Sequence, residues 1–320
     1  MHYPKITIVT PTFNQGEFIE QTIISILDQN YPNLEYIIVD AGSNDKTVSI
    51  IKKYEKHLAW WVSEKDRGQS HAINKGLEKS GGDVFNWVNS DDYLAEGALQ
   101  VIGERFMDRK ISVLCGRMKM FWQDTGKESV WTPTRVSNSL SKMIGFSSNR
   151  QPSTWFRLDI LRRIGPLNEH LHFTMDQDMW VRYLLSNGKK GIVQTDKILL
   201  HFRRHNESKT EKSNQGFNKD IVSIFVSLLT QTGIPSCAEQ LRNLTGVKAH
   251  TDYNLLLPES YLKINQKKIY NYFLLRMTEN YIGKKDKKSS EKFYREINPI
   301  HLNLRDINYY LKLRGRIRNL

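Results

Sequence analysis

FNWVNSDDYL, residues 85–94, is an apolar segment that ends in two adjacent acids, Asp91 and Asp92. It belongs to the fourth of five short apolar runs that alternate with amphipathic segments of helical length over residues 1–115. The runs are KITIVT (5–10), LEYIIVD (34–40), LAWWVS (58–63), DVFNWVN (83–89) and ISVLCGRM (111–118). Runs rich in β-branched and aromatic residues are typical of strands. Strands separated by single helices predict an α/β fold with a mostly parallel sheet flanked by helices.

Polar clusters follow three of the predicted strands directly. They are TPTFN (10–14), DAGSND (40–45) and NSDD (89–92). In open parallel sheets, ligands bind at the carboxyl ends of the strands. We therefore expect the three clusters to converge on one edge of the sheet and to form a ligand site there.

Asp91 and Asp92 are candidate ligands of a divalent cation. Neighbouring carboxylates repel each other, and Mg²⁺ and Mn²⁺ prefer oxygen ligands of this kind. An ion held at this strand end would bridge to a diphosphate. The alternative is that the acids cap the next helix, predicted near residues 96–106, because Asp is favoured at helix N-termini.

Arg67 lies in DRGQSHAINKG (66–76), just before a predicted helix whose N-terminus points toward the same edge. An Arg beside a helix N-terminus suits a phosphate group. A surface ion pair with Asp66 or Glu64 is the alternative.

MDQDMW (175–180) places Asp176 and Asp178 at the start of another predicted helix. Both acids can cap the helix, and Asp178 can pair with Arg182 one turn later. An Asp at a helix start can instead serve as a general base. The spacing leaves these readings open.

The composition is that of a globular protein, with 39% hydrophobic and 25% charged residues in 320. Two cysteines, Cys115 and Cys237, form no disulfide framework and no zinc-spaced cluster, which favours a reducing, cytoplasmic setting. The N-terminus lacks the apolar core of a signal peptide. The longest apolar run, residues 221–230, is about half the ~20 residues of a membrane span.

Positive charge is concentrated in the last third of the chain. Residues 201–320 hold 22 Lys and Arg against 11 Asp and Glu, whereas residues 1–200 hold 25 against 23. A basic, helical-looking region favours an anionic partner such as the inner face of a membrane. The alternative is a solvated basic surface.

The order of these motifs resembles that of the family 2 glycosyltransferases with the GT-A fold, over roughly residues 4–210. The matching segments are TIVTPTFNQGEF with DAGSNDKT, then DRGQSHAINKG, NSDD, MDQDMW and HFRRH. The resemblance implies a GT-A domain over residues 1–215. Its nucleotide-sugar-binding, Rossmann-like half would be 1–115 and its acceptor half 116–215. A basic helical extension, residues 216–320, would follow.

The resemblance also implies roles for individual residues. Asp176 would be the catalytic base of an inverting transfer. Asp92, Asp91 and, from HFRRH, His205 would bind Mn²⁺ or Mg²⁺. The residues matched to the nucleotide-sugar are Thr10, Pro11, Thr12, Asn14, Asp40, Arg67, Asn74 and Asp91. The residues matched to the acceptor surface are Gln151, Trp155 and Asp178, although packing in the core is the commoner role of a Trp.

A UDP-sugar is the favoured donor, and a saccharide or a lipid-linked saccharide of surface polysaccharide synthesis is the expected acceptor. One departure bears on the nucleotide. Many relatives carry a second acid after the Asp that ends the second strand, where it contacts the base, and this chain has Ala41.

Four other classes of protein compete with this interpretation. A nucleotidyltransferase would show a Gly-rich loop with a Lys after the first strand, and a dinucleotide oxidoreductase would show GxGxxG there; TPTFNQGEF shows neither. A nucleic-acid-binding protein would explain the basic region but not the acidic clusters. A non-catalytic nucleotide- or glycan-binding protein of the same fold remains the main alternative, and the presence of Asp91, Asp92 and Asp176 favours an enzyme over it.

Overall fold

The structure is a computed structural model that describes residues 3–147, 149–206, 208 and 214–320. It divides into two compact units. The first unit comprises the described residues of Met1–Thr134, Asn149–Met179 and Lys189–Gly216, and the second those of Arg135–Ser148, Trp180–Gly188 and Phe217–Leu320. The second unit therefore takes in two short segments that the sequence assigned to the first domain. The boundary between domains at residue 215 stays a prediction.

The first unit is an α/β structure, which confirms the predicted fold class. Its strands are β1 (Ile6–Thr12), β2 (Leu34–Asp40), β3 (Trp60–Ser63), β4 (Val84–Trp87), β5 (Tyr93–Leu94), β6 (Val113–Trp122), β7 (Glu128–Trp131), β8 (Thr154–Arg157) and β9 (Ile192–Arg204). Its helices are α1 (Ile19–Leu27), α2 (Thr47–Tyr54), α3 (Gln69–Lys79), α4 (Ala98–Phe106) and α6 (Leu158–Ile164). Helix α5 (Leu140–Gly145) belongs to the second unit, and α7 (Met175–Asn187) crosses the boundary after Met179.

All of these strands form one sheet in the order β3-β2-β1-β4-β8-β6-β9-β5, with β7 paired to β6. The strands β3, β2, β1 and β4 are parallel, as predicted. Beyond β4 the sheet is mixed, because β8 runs antiparallel to β4 and β6 while β9 runs parallel to β6. All seven positions of β1 are buried, as expected for a strand covered on both faces.

Close packing of helix on sheet fixes the start of the first unit. Gly76 of α3 lies so close to β1 that a Cβ there would sit 2.5 Å from Val9 Cγ1. The hydrophobic core contains Ile8, Ile23, Ile38 and Leu114 among many others, all fully buried. This rigid half-sheet supports the loops at its carboxyl edge.

The second unit is helical in the described residues, in agreement with the sequence. Besides α5 it contains α8 (Asn214–Gln231), α9 (Pro235–Thr245), α10 (Gln266–Gly283), α11 (Lys287–Glu296) and α12 (Leu304–Arg318). Its core includes the rings of Phe225 and Phe273, whose centroids are 4.1 Å apart and whose planes are tilted by 37°. No helix within the described part of the chain is both long enough and apolar enough to cross a membrane.

Candidate active site

The loops after β1 and β2 are fixed to each other at the sheet edge. Thr12 and Asp40, the last residues of the two strands, are paired in register. Asn14 adopts the left-handed conformation (φ 50°), which Asn tolerates better than most residues. Its backbone N–H donates to Ser43 Oγ (2.7 Å), and its Oδ1 accepts from the backbone N–H of Asn44 (3.0 Å). The first two polar clusters therefore meet, as predicted.

Asp40 binds the loop that follows β2 and the end of β3. Its side chain is fully buried. Its carboxylate accepts from the backbone N–H groups of Gly42 (3.1 Å) and Ser43 (2.9 Å) and from the hydroxyls of Ser43 and Ser63 (2.5 and 2.6 Å). Four donors of the protein itself thus occupy this acid, and direct contact with a nucleotide stays a prediction.

The other residues matched to the nucleotide differ in accessibility. Thr10 is buried and its hydroxyl bonds Tyr36 OH (3.1 Å), and Pro11 is buried as well. Thr12 is 5% exposed, and its Oγ1 has no hydrogen-bond partner among the described residues. Asn14 is exposed. Of these four residues, Asn14 is therefore the one whose side chain a ligand can reach from solvent.

Asp91 and His205 form the pair at the centre of the edge. Asp91 Oδ2 lies 3.1 Å from His205 Nε2, and the two side chains are 24% and 8% exposed. The ring of Phe18 packs against the imidazole with centroids 4.6 Å apart. The resemblance gave both residues to the metal, and the structure brings them together.

Asp92, the other predicted metal ligand, is turned inward. It is 1% exposed, and its Oδ1 accepts from the backbone N–H of Arg203 (2.9 Å) while its Oδ2 accepts from Asn89 Nδ2 (3.3 Å). Burial, together with the charge of Asp91, raises the pKa of Asp92 well above the ordinary range. The adjacent acids thus have different environments, one buried and held by the chain and one facing its histidine. This burial argues against Asp92 as a direct metal ligand.

Arg203 contacts both acids, although no motif in the sequence pointed to it. It is 6% exposed, and its Nε donates to the carbonyl oxygen of Asp91 (2.8 Å). Its two terminal nitrogens donate to the side-chain oxygens of Gln123 and Gln21. The available signal was strand alternation in HFRRH, which puts His201, Arg203 and His205 on one side.

Arg67 and Asn74 bind a loop of the protein rather than open space. The Arg67 guanidinium forms an ion pair with Glu169 (2.7 Å from Nη2 to Oε2). Asn74 is 8% exposed, donates to Leu167 O (2.9 Å) and accepts from the Leu167 N–H (2.8 Å). The ion pair of Arg67 is with Glu169 and not with Asp66 or Glu64, and its side chain remains 68% exposed.

Asp176 is the accessible acid of the MDQDMW segment. It lies in the first turn of α7 and is partly exposed, and its Oδ2 accepts from Asn149 Nδ2 (3.3 Å). Asp178 is fully buried. Of the two acids, only Asp176 has a side chain that an acceptor hydroxyl could approach.

The three residues matched to the acceptor surface are all buried. Asp178 and Trp155 are 0% exposed and Gln151 is 5% exposed. Gln151 Nε2 donates to Asn86 Oδ1 (2.8 Å) and to Trp87 O (3.1 Å). Trp155 is thus a core residue, and Gln151 binds its segment to the end of β4. Direct contact of these residues with an acceptor stays a prediction.

The same fastening links Asp176 to the sheet edge. Gln151 is bonded to the end of β4, and Asn149, two residues earlier, is bonded to Asp176. The NSDD turn follows β4 directly, and Asn89 of this turn accepts from Gln69 Nε2 (2.8 Å) at the start of α3. The segment that bonds Asp176 is thus fastened to the end of β4, the strand that leads into the NSDD turn.

The model of the family described as "Glycosyl transferase family 2" matches residues 7–177 of this chain. An "Uncharacterized glycosyltransferase" of Haemophilus influenzae is 36% identical over 103 residues, which is 31% of this chain and 41% of the relative. The "Putative teichuronic acid biosynthesis glycosyltransferase TuaG" of Bacillus subtilis is 36% identical over 111 residues, which is 33% of this chain and 43% of TuaG. The matched stretch thus spans less than half of each relative.

Among solved structures, the fold resembles that of residues 1–349 of Staphylococcus aureus TarS in complex with UDP-GlcNAc. The TM-score is 0.61 with 18% sequence identity, covering 98% of this chain and 89% of the TarS chain. At this identity the likeness is one of fold.

Proposed function

This chain belongs to glycosyl transferase family 2, and we propose that it transfers a sugar from a nucleotide-sugar, with a UDP-sugar favoured, to a hydroxyl of a saccharide or lipid-linked saccharide. The observation that carries the proposal is the Asp91–His205 pair at the carboxyl edge of the sheet, next to two interlocked loops. Ligands bind at this edge in folds of this class.

The donor proposal rests on the loops after β1 and β2. Asn14 presents an exposed side chain, and Thr12 has a hydroxyl without a partner among the described residues. The fold likeness to TarS, which was crystallised with UDP-GlcNAc, supports a uridine nucleotide. Ala41 stands where many relatives carry an acid, so the base would be read by other groups of these loops.

The donor set of Asp91 and His205 fits a divalent cation. Mg²⁺ and Mn²⁺ prefer carboxylate oxygens, and a neutral imidazole is a common metal ligand; Asp91 Oδ2 and His205 Nε2 lie 3.1 Å apart and would hold the ion together. No group of three or more His, Cys, Asp and Glu side chains suited to a metal occurs within the described residues. Diphosphate oxygens and water would complete the coordination of Mn²⁺ or Mg²⁺. The bound ion would stabilise the negative charge of the leaving nucleoside diphosphate.

Asp176 is the proposed general base. Its carboxylate takes the proton from an acceptor hydroxyl while that oxygen attacks the anomeric carbon from the face opposite the diphosphate. The bond from the anomeric carbon to the diphosphate oxygen breaks, and the configuration inverts. Asn149, hydrogen-bonded to Asp176 Oδ2, orients the base. This route needs no covalent nucleophile.

The proposed role is in surface polysaccharide or glycan synthesis at the cytoplasmic side of a membrane. The likeness to TuaG, a putative teichuronic acid glycosyltransferase by name, supports a polysaccharide acceptor.

Calorimetric titration tests the donor and the metal together. UDP, GDP, ADP, CDP and dTDP are titrated into the protein with Mn²⁺ and again with EDTA. We expect UDP to bind in the micromolar range only with Mn²⁺. Asp91→Asn should weaken this binding at least about tenfold, because one of the two ligands is lost. The control Asp124→Asn changes an exposed acid outside the site and should bind as the wild type does.

Transfer itself is tested by release of UDP from a panel of UDP-sugars with oligosaccharide acceptors. UDP binding without turnover of any sugar, in a protein whose fold is verified, would favour a non-catalytic binding protein. Equal binding with Mn²⁺ and with EDTA would remove the metal from the proposal.

A further inference from the structure

The outward face of α12 is unusually apolar. Leu304 is 86% exposed and Ile300, just before the helix, is 77% exposed; these are the most exposed large hydrophobic side chains in the described part of the chain. Leu311 is 55% exposed and lies seven residues after Leu304, so both leucines occupy the same helical face. The opposite face packs into the unit through Leu313 and Ile317, which are 0% and 4% exposed.

Cations border this apolar face. Arg314 and Arg318 follow Leu311 by three and seven residues and so lie beside or in line with it. Arg305 and Lys312 project to its other side. Of the five cations on α12, Arg316 has a carboxylate partner, Glu279 at 3.9 Å, and the other four have none among the residues that the structure describes. Lys287 adds a cation at the C-terminal end, where its Nζ lies 3.4 Å from Arg318 O.

An open cavity of about 710 Å³ lies at the N-terminal end of α12. Its lining includes the cations Lys142, Lys268 and Arg305 and the polar side chains of Ser137, Asn138 and Ser139. Lys142 is bonded to Asp306, which also accepts from Tyr272 OH (2.7 Å). Lys268 and Arg305 have no carboxylate partner within residues 3–147, 149–206, 208 and 214–320. The cavity thus carries two uncompensated positive charges, and Leu302 and Leu304 also line it.

We propose that α12 and this cavity dock the chain on an anionic lipid bilayer. Ile300, Leu304 and Leu311 enter the boundary between headgroups and acyl chains, as the apolar face of an interfacial helix does. The flanking Arg and Lys side chains contact lipid phosphates, and Lys268 and Arg305 receive one anionic headgroup in the cavity. This docking does not depend on the proposed transfer reaction.

Charge and side-chain type favour a bilayer over other occupants. A second copy seated on the same face would bring Arg314 and Arg318 against like charges, which is unfavourable. A nucleic acid would use the cations but would leave three exposed aliphatic side chains in water. An anionic bilayer satisfies both the cations and the aliphatic side chains.

Co-sedimentation with vesicles tests the proposal. Vesicles of phosphatidylcholine alone are compared with vesicles that contain about 30% phosphatidylglycerol, an anionic lipid that gives the surface a negative potential. We expect binding to the anionic vesicles and little to the neutral ones. Leu304→Ser combined with Leu311→Ser should lower the partition coefficient about tenfold or more. The control Leu256→Ser alters a leucine of similar exposure (50%) outside α12 and should have no effect.

Two double variants distinguish a specific headgroup site from general electrostatic attraction to the bilayer. The test variant combines Lys268→Gln with Arg305→Gln, and its control combines Lys248→Gln with Lys263→Gln. Each double variant removes two positive charges from the second unit. Only the first pair should weaken binding more than about threefold. Equal loss in both pairs would overturn the proposed site.

Two other results would overturn the docking. One is unchanged vesicle binding by the double leucine variant, with its helical circular dichroism intact. The other is a dimer in light scattering that this variant abolishes, which would show that a second copy covers the face. If the leucine variant fails to fold, Arg314→Gln with Arg318→Gln decides the question, because both side chains are exposed and bury no core surface.

Discussion

Arg203 Nε donates a 2.8 Å hydrogen bond to the carbonyl oxygen of Asp91, across 112 residues of sequence. The backbone N–H of the same arginine donates to Asp92 Oδ1. One residue of β9 therefore fixes the backbone of the acid that faces His205 and the carboxylate of the acid that is buried. Because a shift of about 1 Å at a metal ligand is enough to disturb a site, this support bears directly on the proposed function.

Arg203→Gln should destabilise the protein and weaken UDP binding in Mn²⁺. Its guanidinium is buried, donates hydrogen bonds to Asp91, Gln123 and Gln21, and lies over the rings of Phe18, Tyr93 and Phe121. Breaking a buried network of this kind costs about 3 kcal/mol. Urea unfolding measures the loss of stability, and calorimetry measures the loss of affinity, which we expect to be at least about tenfold.

The neighbouring Arg204→Gln is the control for Arg203. Arg204 is partly exposed and packs over the ring of Trp122, 5.3 Å from its centroid. The Arg204→Gln variant should lose less than about 1 kcal/mol in the free energy of unfolding and should keep its affinity for UDP. UDP affinity that survives Arg203→Gln unchanged would show that the NSDD turn keeps its geometry without this support.

Asp176→Asn should abolish transfer and leave donor binding intact. The amide has almost the same shape but cannot take a proton, so turnover should fall by about 10²–10⁴-fold. UDP release under saturating donor and acceptor measures this loss, and calorimetry with UDP and Mn²⁺ serves as the second readout. Asp159→Asn, an exposed acid on α6, is the matched control. Turnover near the wild-type level in Asp176→Asn would remove this residue from the role of base.

The parts of the fold that were predictable are those with local signals. The parallel half-sheet was predicted because each of its strands is a short apolar run followed by polar residues, as in β2. Strand β5 has two residues, and β9 pairs with β6 across long sequence separations, so neither leaves a clear local pattern. Pairings of this kind are set by tertiary packing, which overrides local propensity.

The same limit applies within the candidate site. Adjacent acids in NSDD look equivalent in the sequence, and only the position of Arg203 decides that Asp92 is buried while Asp91 faces His205. Likewise, a Trp in the acceptor half fits a sugar-binding surface and a core equally well. The pairing of β8 with β6 places Trp155 opposite Leu114, inside the core.

Trp155→Phe should lower stability without changing the KM for the acceptor. The indole is fully buried and its Nε1 has no hydrogen-bond partner among the described residues, so the smaller ring leaves a cavity rather than an unpaired acceptor. We expect a loss of about 1–3 kcal/mol in the free energy of unfolding. Trp131→Phe, at a partly exposed ring under Arg150, is the control. A rise in acceptor KM with unchanged stability would restore Trp155 to the acceptor surface.

The stability of the first unit should fall in acid in a way that depends on Glu35. This side chain is 8% exposed; its Oε1 accepts from Lys5 Nζ (2.5 Å) and its Oε2 from Thr7 Oγ1 and the Gly81 N–H, both at 2.6 Å. Burial alone would raise the pKa of Glu35, but the hydrogen bonds from Gly81, Lys5 and Thr7 outweigh it and lower the pKa. A folded-state pKa below the unfolded value of about 4.3 stabilises the protein above that pH, and the stabilisation is lost as pH falls through the folded-state pKa.

In urea unfolding, Glu35→Gln should therefore be about 2 kcal/mol less stable than wild type at pH 7, and this difference in stability, the gap, should narrow toward pH 3. The exposed Glu96→Gln should show no such gap, and a gap for Glu35→Gln that stays constant from pH 7 to pH 3 would mean that its ionisation is not what stabilises the fold.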